Sequence, residues 1–393
     1  MIPIYLENLG IVNALGNTKA SVCDNFLKNS QEGMFPYEGL ISGKKTVVGS
    51  VHTSLVGLPD FLKKYHCRNN QLLATAYLQI EEEVSELKAR YGKHRIGVIL
   101  GTSTSGIASA EIAMAHYQKY NTFNESFDYK QQEIGSCSAF LSLYADITGV
   151  HYTVSTACSS SGKAIAEGAR LIQAGFCDAV IAGGSDSLCG LTLNGFDSLE
   201  LLSESICNPF SKNRRGLNIG EGAALFVLTK RKSHIKLSGI GEASDGYHIA
   251  TPDPKGVGAT LAIKQALQSA NRTPNDIAYI NLHGTATKKN DEMESYVVNT
   301  LFQKAPLCSS TKPLLGHTLG AAAAQELGLC WLLLSHYNPT QLLPKHLWDS
   351  EADLTLPPIN LVTENAHFKN PIFMSNSFAF GGSNVSLIIE GEL

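Results

Sequence analysis

The feature that most constrains the fold is that the chain repeats itself. "NLGIVNALG" near the start is echoed by "LSGIGEASDG" at Leu237 to Gly246. "RIGVILGTSTSG" (Arg95 to Gly106) is echoed by "IAYINLHGTATK" (Ile277 to Lys288), each a short apolar strand entering a Gly-Thr-x-Thr turn. "VSTACSSSGKAIAEGARLIQ" is echoed by "PLCSSTKPLLGHTLGAAAAQELGLCWLLL", a strand and turn that open a small-residue helix. "GEGAALFVLTK" (Gly220 to Lys230) is echoed by "GGSNVSLIIEG" (Gly381 to Gly391). Four echoes in one order predict two similar α/β halves, residues 1–235 and 236–393, with larger insertions in the first.

Within each half, β-rich runs such as "DAVIAGG" alternate with helical patterns such as "DEMESYVVNTLF", as in a layered α/β fold. "SGKAIAEGARLIQAG" and "GHTLGAAAAQELGLC" carry small residues around most of their circumference, so both helices belong at the centre of the molecule. The most apolar helical stretch, Leu319 to Leu334, contains Gln325 and Glu326 and is too short and polar for a bilayer span. It reads as a buried helix.

A net charge of −4 and the lack of a long basic run argue against nucleic acid as a partner. The nine cysteines are odd in number and scattered, without a CxxC pair, which disfavours a disulfide framework or structural zinc. "MIPIYLENLG" lacks the basic start and apolar core of a signal peptide. A reducing, cytoplasmic setting is expected.

Cys158 lies where the strand-forming "YTVST" gives way to the helix-forming "SSSGKAIAEGARL", with Ser159 and Ser160 in capping range. A helix N-terminus stabilises a thiolate and lowers its pKa, and small neighbours leave room for a substrate. The alternative is a buried, inert cysteine, the reading that suits Cys23, Cys177 and Cys330. His283 ends an apolar strand before a glycine, and His317 opens the second small-residue helix. Either alone would more often be a satisfied core or capping residue, but ends of this kind are where α/β active sites assemble. Lys312 is a surface lysine, or, beside Pro313 in an apolar stretch, one turned inward.

Together "VSTACSSS", "HGTAT", "KPLLGHTLGAAAAQE" and "NSFAFGGSN" resemble the β-ketoacyl-[acyl carrier protein] synthases, over essentially the whole chain and in the family's order. The resemblance implies a thiolase-like five-layer αβαβα sandwich of two similar halves, usually dimeric. It implies that Cys158 attacks an acyl-carrier thioester and holds the chain. His283 and His317 would then hydrogen-bond the enolate formed when malonyl carrier loses carbon dioxide, each donor contributing about 3–4 kcal/mol. Backbone N–H groups of Cys158 and Phe380 would form the oxyanion hole, Lys312 would tune the electrostatics, and Glu326 would hold the charge network. Thr285 and Thr287 would contact the phosphopantetheine arm, which arrives on the carrier, so no resident cofactor or metal is expected. Phe378 and Phe380 would border the substrate.

The two-histidine pattern resembles elongating, malonyl-carrier-dependent members rather than chain-starting enzymes or thiolases. Chain-length factors, a sister group, share the fold but lack the cysteine. Cys158 favours catalysis and leaves both a homodimer and a heterodimer with such a subunit open. The remaining alternatives are a non-catalytic partner subunit and a Cys–His hydrolase.

Two departures bear on substrate. Ala379 replaces a glycine common in the gating loop, which either restricts the gate, since alanine lacks glycine's freedom at positive φ, or has no consequence. Thr104 stands where a bulkier aliphatic residue often meets the acyl chain, which suggests a wider pocket for a polyene, aryl-bearing or polyketide-like chain. Two basic clusters, Lys63, Lys64 and Arg68, and Lys212, Arg214 and Arg215, are candidate docking sites for an acidic carrier protein.

Overall fold

Runs of three to ten largely apolar or small residues set the framework, and in the computed structural model, which describes residues 2–303 and 306–392, they form ten strands of one hydrogen-bonded order. In the first half these are β1 (Ile4–Val12), β2 (Ile96–Gly101), β3 (His151–Val154), β4 (Ala179–Asp186) and β5 (Gly222–Thr229). In the second they are β6 (Ile235–Ser244), β7 (Tyr279–Asn281), β8 (Leu307–Ser309), β9 (Ile372–Phe378) and β10 (Ser383–Gly391). The order is β3-β2-β4-β5-β1, then β6-β10-β9-β7-β8. Adding five to each strand number of the first half gives the second half read inwards. The repeat therefore extends to topology.

The halves join where β1 meets β6, at Ile4 with Leu237 and Tyr5 with Lys236. In each half the outer three strands run parallel to one another, and the two nearest the join between the halves pair antiparallel. Every residue of β2, β4, β5 and β9 is buried, which explains their unbroken apolar or small-residue composition.

The principal helices are α1 (Arg68–Tyr77), α2 (Ile107–Tyr120), α3 (Ser136–Tyr144), α4 (Ser160–Gln173), α5 (Gly190–Ser198), α6 (Val257–Ala270), α7 (Lys288–Phe302) and α8 (Ala322–Leu333). The two small-residue segments, α4 and α8, pack on each other, and each also touches strands of both halves. Helices α1 and α3 cover the outer face of the first half's strands, and α6 and α7 form the corresponding layer of the second. The result is the expected five-layer αβαβα sandwich. Helix α8 is buried at every residue, and the stretch from Leu319 enters it through a 3-10 turn. No helix among the described residues is long and apolar enough to cross a membrane.

Candidate active site

The thiol sits on a strained elbow. Ala157, the residue before Cys158, has φ of 52°, a left-handed conformation that costs a residue with a Cβ about 1–2 kcal/mol. Ser159 and Ser160 do not cap α4, as the sequence suggested. Their hydroxyls fold back to fasten the elbow: Ser160 Oγ donates to Ala157 O at 2.6 Å and accepts from Thr156 N at 2.8 Å, and Ser159 Oγ donates to Thr156 O at 2.9 Å. Gly101 lets the first turn of α4 lie directly on the end of β2, because a Cβ there would fall 2.3 Å from Ser161 N.

The second half carries the same elbow. Leu319 has φ of 52° and stands three residues before the first residue of α8, as Ala157 stands before α4. His317 precedes this elbow by two residues and is fixed through its backbone, its N–H donating to Asn218 O at 2.7 Å and its carbonyl accepting from Gly220 N at 2.9 Å. His283 follows β7, and its position is set by Glu294 of α7. That buried carboxyl accepts from His283 N at 2.7 Å and Gly284 N at 2.8 Å.

Three segments far apart in sequence thus meet. His317 Nε2 lies 2.9 Å from Cys158 Sγ, and one nitrogen of each ring and the sulfur all lie within 4.8 Å of one another. The two imidazoles meet edge to face, centroids 5.4 Å apart, and Phe378 packs against His283. Lys312 is turned inward and fully buried; its ammonium donates to His283 O at 2.9 Å and pairs with the equally buried Glu326. Among the described residues this cysteine and two histidines are also the one group of three ligating side chains close enough to hold a metal ion.

Burial governs the protonation states. It pushes the Cys158 thiol up to about 11, against smaller lowering influences from the Phe380 N–H, the Lys312 charge and the Cys158 N–H. Desolvation by the surrounding site therefore outweighs the local dipole of the helix terminus, and the resting thiol is harder to ionise, the reverse of the lowered pKa that the sequence predicts. Burial, then Lys312, depresses both imidazoles well below 6.5, so both are neutral. Burial also raises Glu294 to about 8 and Glu326 to about 7, the latter despite Lys312.

The three groups open into a cavity of about 870 Å³ whose lining runs from these buried residues to the exposed Lys212, Arg215, His248, Lys288 and Lys289. Thr285 and Thr287 lie along it with hydroxyls 3.0 Å apart, and Phe378 and Phe380 border it. Phe380 stacks on Phe196, centroids 5.5 Å apart.

Several expected contributors lie outside the cavity or, like Arg214 and Ala379, line it in a role other than the expected one. Thr104 does not line the cavity; it is buried and its hydroxyl donates to Asp186 at 2.7 Å, so it braces the turn after β2 rather than widening an acyl pocket. Asp186 also accepts from Thr102, from the backbone of Ser103 and Thr104, and from Ala321 N, tying both halves together at the site. Arg68 is committed to a bidentate pair with buried Glu221, and Arg214, only 4% exposed, pairs with Asp353 and Glu292. Neither is a free docking charge, since each has a buried or nearby carboxylate to neutralise. Lys63 and Lys64 are exposed but do not line the cavity. Ala379 takes ordinary extended angles, φ −97° and ψ 155°, and the left-handed positions fall on Gly381 and Gly382. In this state the alanine carries no strain. Glu294, Phe196 and the pair Lys288 and Lys289 were not anticipated; the lysines directly follow the Thr-Ala-Thr turn and were open to notice.

The comparisons with known proteins bear on this geometry. Residues 70–234 match the model of the β-ketoacyl synthase N-terminal domain, and residues 234–344 match its C-terminal domain. The chain belongs to the β-ketoacyl synthase family. Its reaction class is that family's, acyl transfer by a 3-oxoacyl-[acyl-carrier-protein] synthase. It is 30% identical to 3-oxoacyl-[acyl-carrier-protein] synthase 1 of Escherichia coli K12, with 98% of each chain covered. Among solved structures it is similar to a ketosynthase in complex with its chain length factor from Xenorhabdus doucetiae, at 45% identity and TM-score 0.95, covering 99% of this chain and 98% of that one. A β-ketoacyl synthase from Burkholderia phymatum is similar at 26% identity and TM-score 0.87, covering both chains fully.

Proposed function

We propose that this β-ketoacyl synthase elongates acyl chains held on Cys158 and acts as the catalytic member of a ketosynthase pair. The observation that carries the reading is the 2.9 Å approach of Cys158 Sγ to His317 Nε2, with His283 beside them, at the buried end of a solvent-reaching cavity. Neutral His317 accepts the thiol proton as the sulfur attacks the acyl-carrier thioester. The carbonyl oxygen takes negative charge facing the Cys158 and Phe380 N–H groups. The old C–S bond then breaks, and the carrier's thiolate takes the proton and leaves.

Malonyl carrier next enters the emptied cavity. Its carboxylate leaves as carbon dioxide, and the bonding pair becomes an enolate whose oxygen is held by one N–H from each imidazole. Both Nδ1 atoms lack a partner among the described residues, so neither ring is locked in the tautomer that would withdraw the Nε2 proton. The charge exists only after decarboxylation begins, so these bonds favour the transition state over the substrate. The enolate carbon attacks the acyl-Cys158 carbonyl, the C–S bond breaks to release the Cys158 thiolate, and that thiolate takes a proton from water entering by the cavity as the longer β-ketoacyl chain departs on its carrier.

Partner choice has separate support. Among the described residues strand β3 pairs in the sheet only with β2, leaving its outer edge open, and Ile112, Met114, Tyr117 and Tyr120 of α2 expose large apolar surfaces that a second subunit would cover. Forty-five percent identity to a ketosynthase solved with its chain length factor favours a heterodimer of that kind over a homodimer. An acyl carrier, being acidic, would meet Arg215, Lys288 and Lys289 at the cavity rim. The stacked Phe196 and Phe380 suit a flat, conjugated acyl chain.

Intact-mass measurement after mixing with acyl carrier tests the core of this. One acyl group should appear on the wild type and none on Cys158→Ala. An adduct that survives the substitution ends the reading, and equal use of saturated and conjugated carriers removes the substrate preference.

A further inference from the structure

We propose that Cys158, His283 and His317 form a capture site for a soft divalent ion such as Zn²⁺, which silences the enzyme reversibly. The ligand set is that of an open zinc site: three protein donors of nitrogen and sulfur, and a fourth position facing a cavity. In a tetrahedral site with metal–nitrogen bonds of about 2.0–2.1 Å and a metal–sulfur bond of about 2.3 Å, donor atoms stand roughly 3.3–3.6 Å apart. Here the three lie within 4.8 Å of one another and the sulfur–nitrogen pair at 2.9 Å. Adjustments of about an ångström, within the reach of side-chain rotation, would seat the ion.

The scaffold already holds the donors in place. Serine hydroxyls fasten the cysteine's elbow, Glu294 holds the His283 backbone, and Asn218 and Gly220 hold that of His317. No partner among the described residues fixes either Nδ1, so both rings can turn a lone pair to a metal. The nearby Lys312 charge opposes a dication, but Glu326 balances it. Binding breaks the S–H bond, releases that proton to water and forms the sulfur–metal bond, with no change of oxidation state. Water or an incoming pantetheine thiolate would complete the fourth position. The bound ion removes the sulfur lone pair and both imidazoles from chemistry at once.

Co²⁺ is the probe, added to the metal-free protein under reducing conditions. The expected result at one equivalent is a thiolate-to-cobalt charge-transfer band with intense visible bands of four-coordination. Zn²⁺ should displace the cobalt and slow labelling of Cys158 by iodoacetamide at least about tenfold, reversibly with chelator. His317→Ala should weaken binding by more than the roughly 10–100-fold that loss of an outer-shell partner costs. Cys158→Ala should abolish the charge-transfer band, while Cys177→Ala, which alters a buried cysteine outside the site, should keep it. Weak six-coordinate bands, a charge-transfer band that survives in Cys158→Ala protein folded by circular dichroism, or labelling indifferent to excess Zn²⁺ would each overturn the proposal. The test needs no carrier or acyl chain. A protein that captures cobalt but does not condense would refute the elongation reading and leave this one standing.

Discussion

Replacing Lys312 with methionine separates two jobs performed by one buried ammonium. Lys312 and Glu326 are both fully buried and paired. Removing one member of such a pair costs about 3–5 kcal/mol, because the other charge is left without compensation. Burial has already raised Glu326 to about 7, so its carboxyl protonates readily once the cation is gone. The loss should therefore lie near the lower bound, about 3 kcal/mol in denaturant unfolding. Adding Glu326→Gln removes the stranded acid and should restore about 2 kcal/mol of it.

Thiol reactivity should behave differently. The Lys312 charge ranks second, after the Phe380 N–H, among the influences that favour the Cys158 thiolate, and Glu326 ranks below both in opposing it. Losing the cation should raise the thiol by about one pKa unit, which is about 1.36 kcal/mol and a tenfold smaller thiolate fraction. Iodoacetamide labelling of Cys158 at pH 8 should slow about tenfold in Lys312→Met, and still be measurably slow in the double variant. A double variant that regains stability and labels at the wild-type rate would refute the reasoning. So would a single variant as stable as wild type.

Three other outcomes are expected. Gly101→Ala drives a Cβ to 2.3 Å from Ser161 N, so it should cost about 1–3 kcal/mol or more and displace the nucleophile's helix, read as lower melting temperature together with lost acylation. Ala157→Gly relieves the left-handed strain while adding chain entropy to the unfolded state, so its unfolding free energy should stay within about 1 kcal/mol of wild type and not below it. Buried His346 accepts from Ser310 N at 3.1 Å and bonds to Pro209 O at 3.0 Å, and burial lowers it to about 4. Its folded pKa lies below the unfolded value of about 6.5, so the unfolded chain binds the extra proton and stability falls with pH through this window. Between pH 7 and pH 5 it should contribute a loss of about 2 kcal/mol, absent in His346→Gln, and parallel pH profiles for the two proteins would contradict it.

Much of the fold was legible because its signal was repeated. Each strand–turn–helix unit occurs twice, so a weak pattern at Arg95 to Gly106 was reinforced at Ile277 to Lys288, and strand order followed the same rule. Cys158, His283 and His317 were legible because all three stand where a strand stops or a helix starts, a local feature. What escaped notice depends on tertiary burial. Arg68 has the look of a docking residue beside Lys63 and Lys64, and its partner Glu221 lies 153 positions away. Thr104 was read as a pocket wall because the sequence does not reveal that Asp186, from another strand, needs its hydroxyl. The thiol's protonation was misjudged for the same reason: a helix end can be read locally, whereas desolvation belongs to the whole assembled site.

The paired elbows carry a consequence for stoichiometry. Position 320 in the second half corresponds to position 158 in the first, and a side chain there would strike Ser103 N at 2.7 Å and Asp186 Oδ2 at 2.8 Å. The duplicated scaffold thus offers two seats in corresponding places but has filled one with Ser103 and the Asp186 carboxylate. On the proposed reading each polypeptide tethers a single acyl chain, and the equivalent arrangement with a nucleophile at position 320 is opposed by the contacts any Cβ there would make.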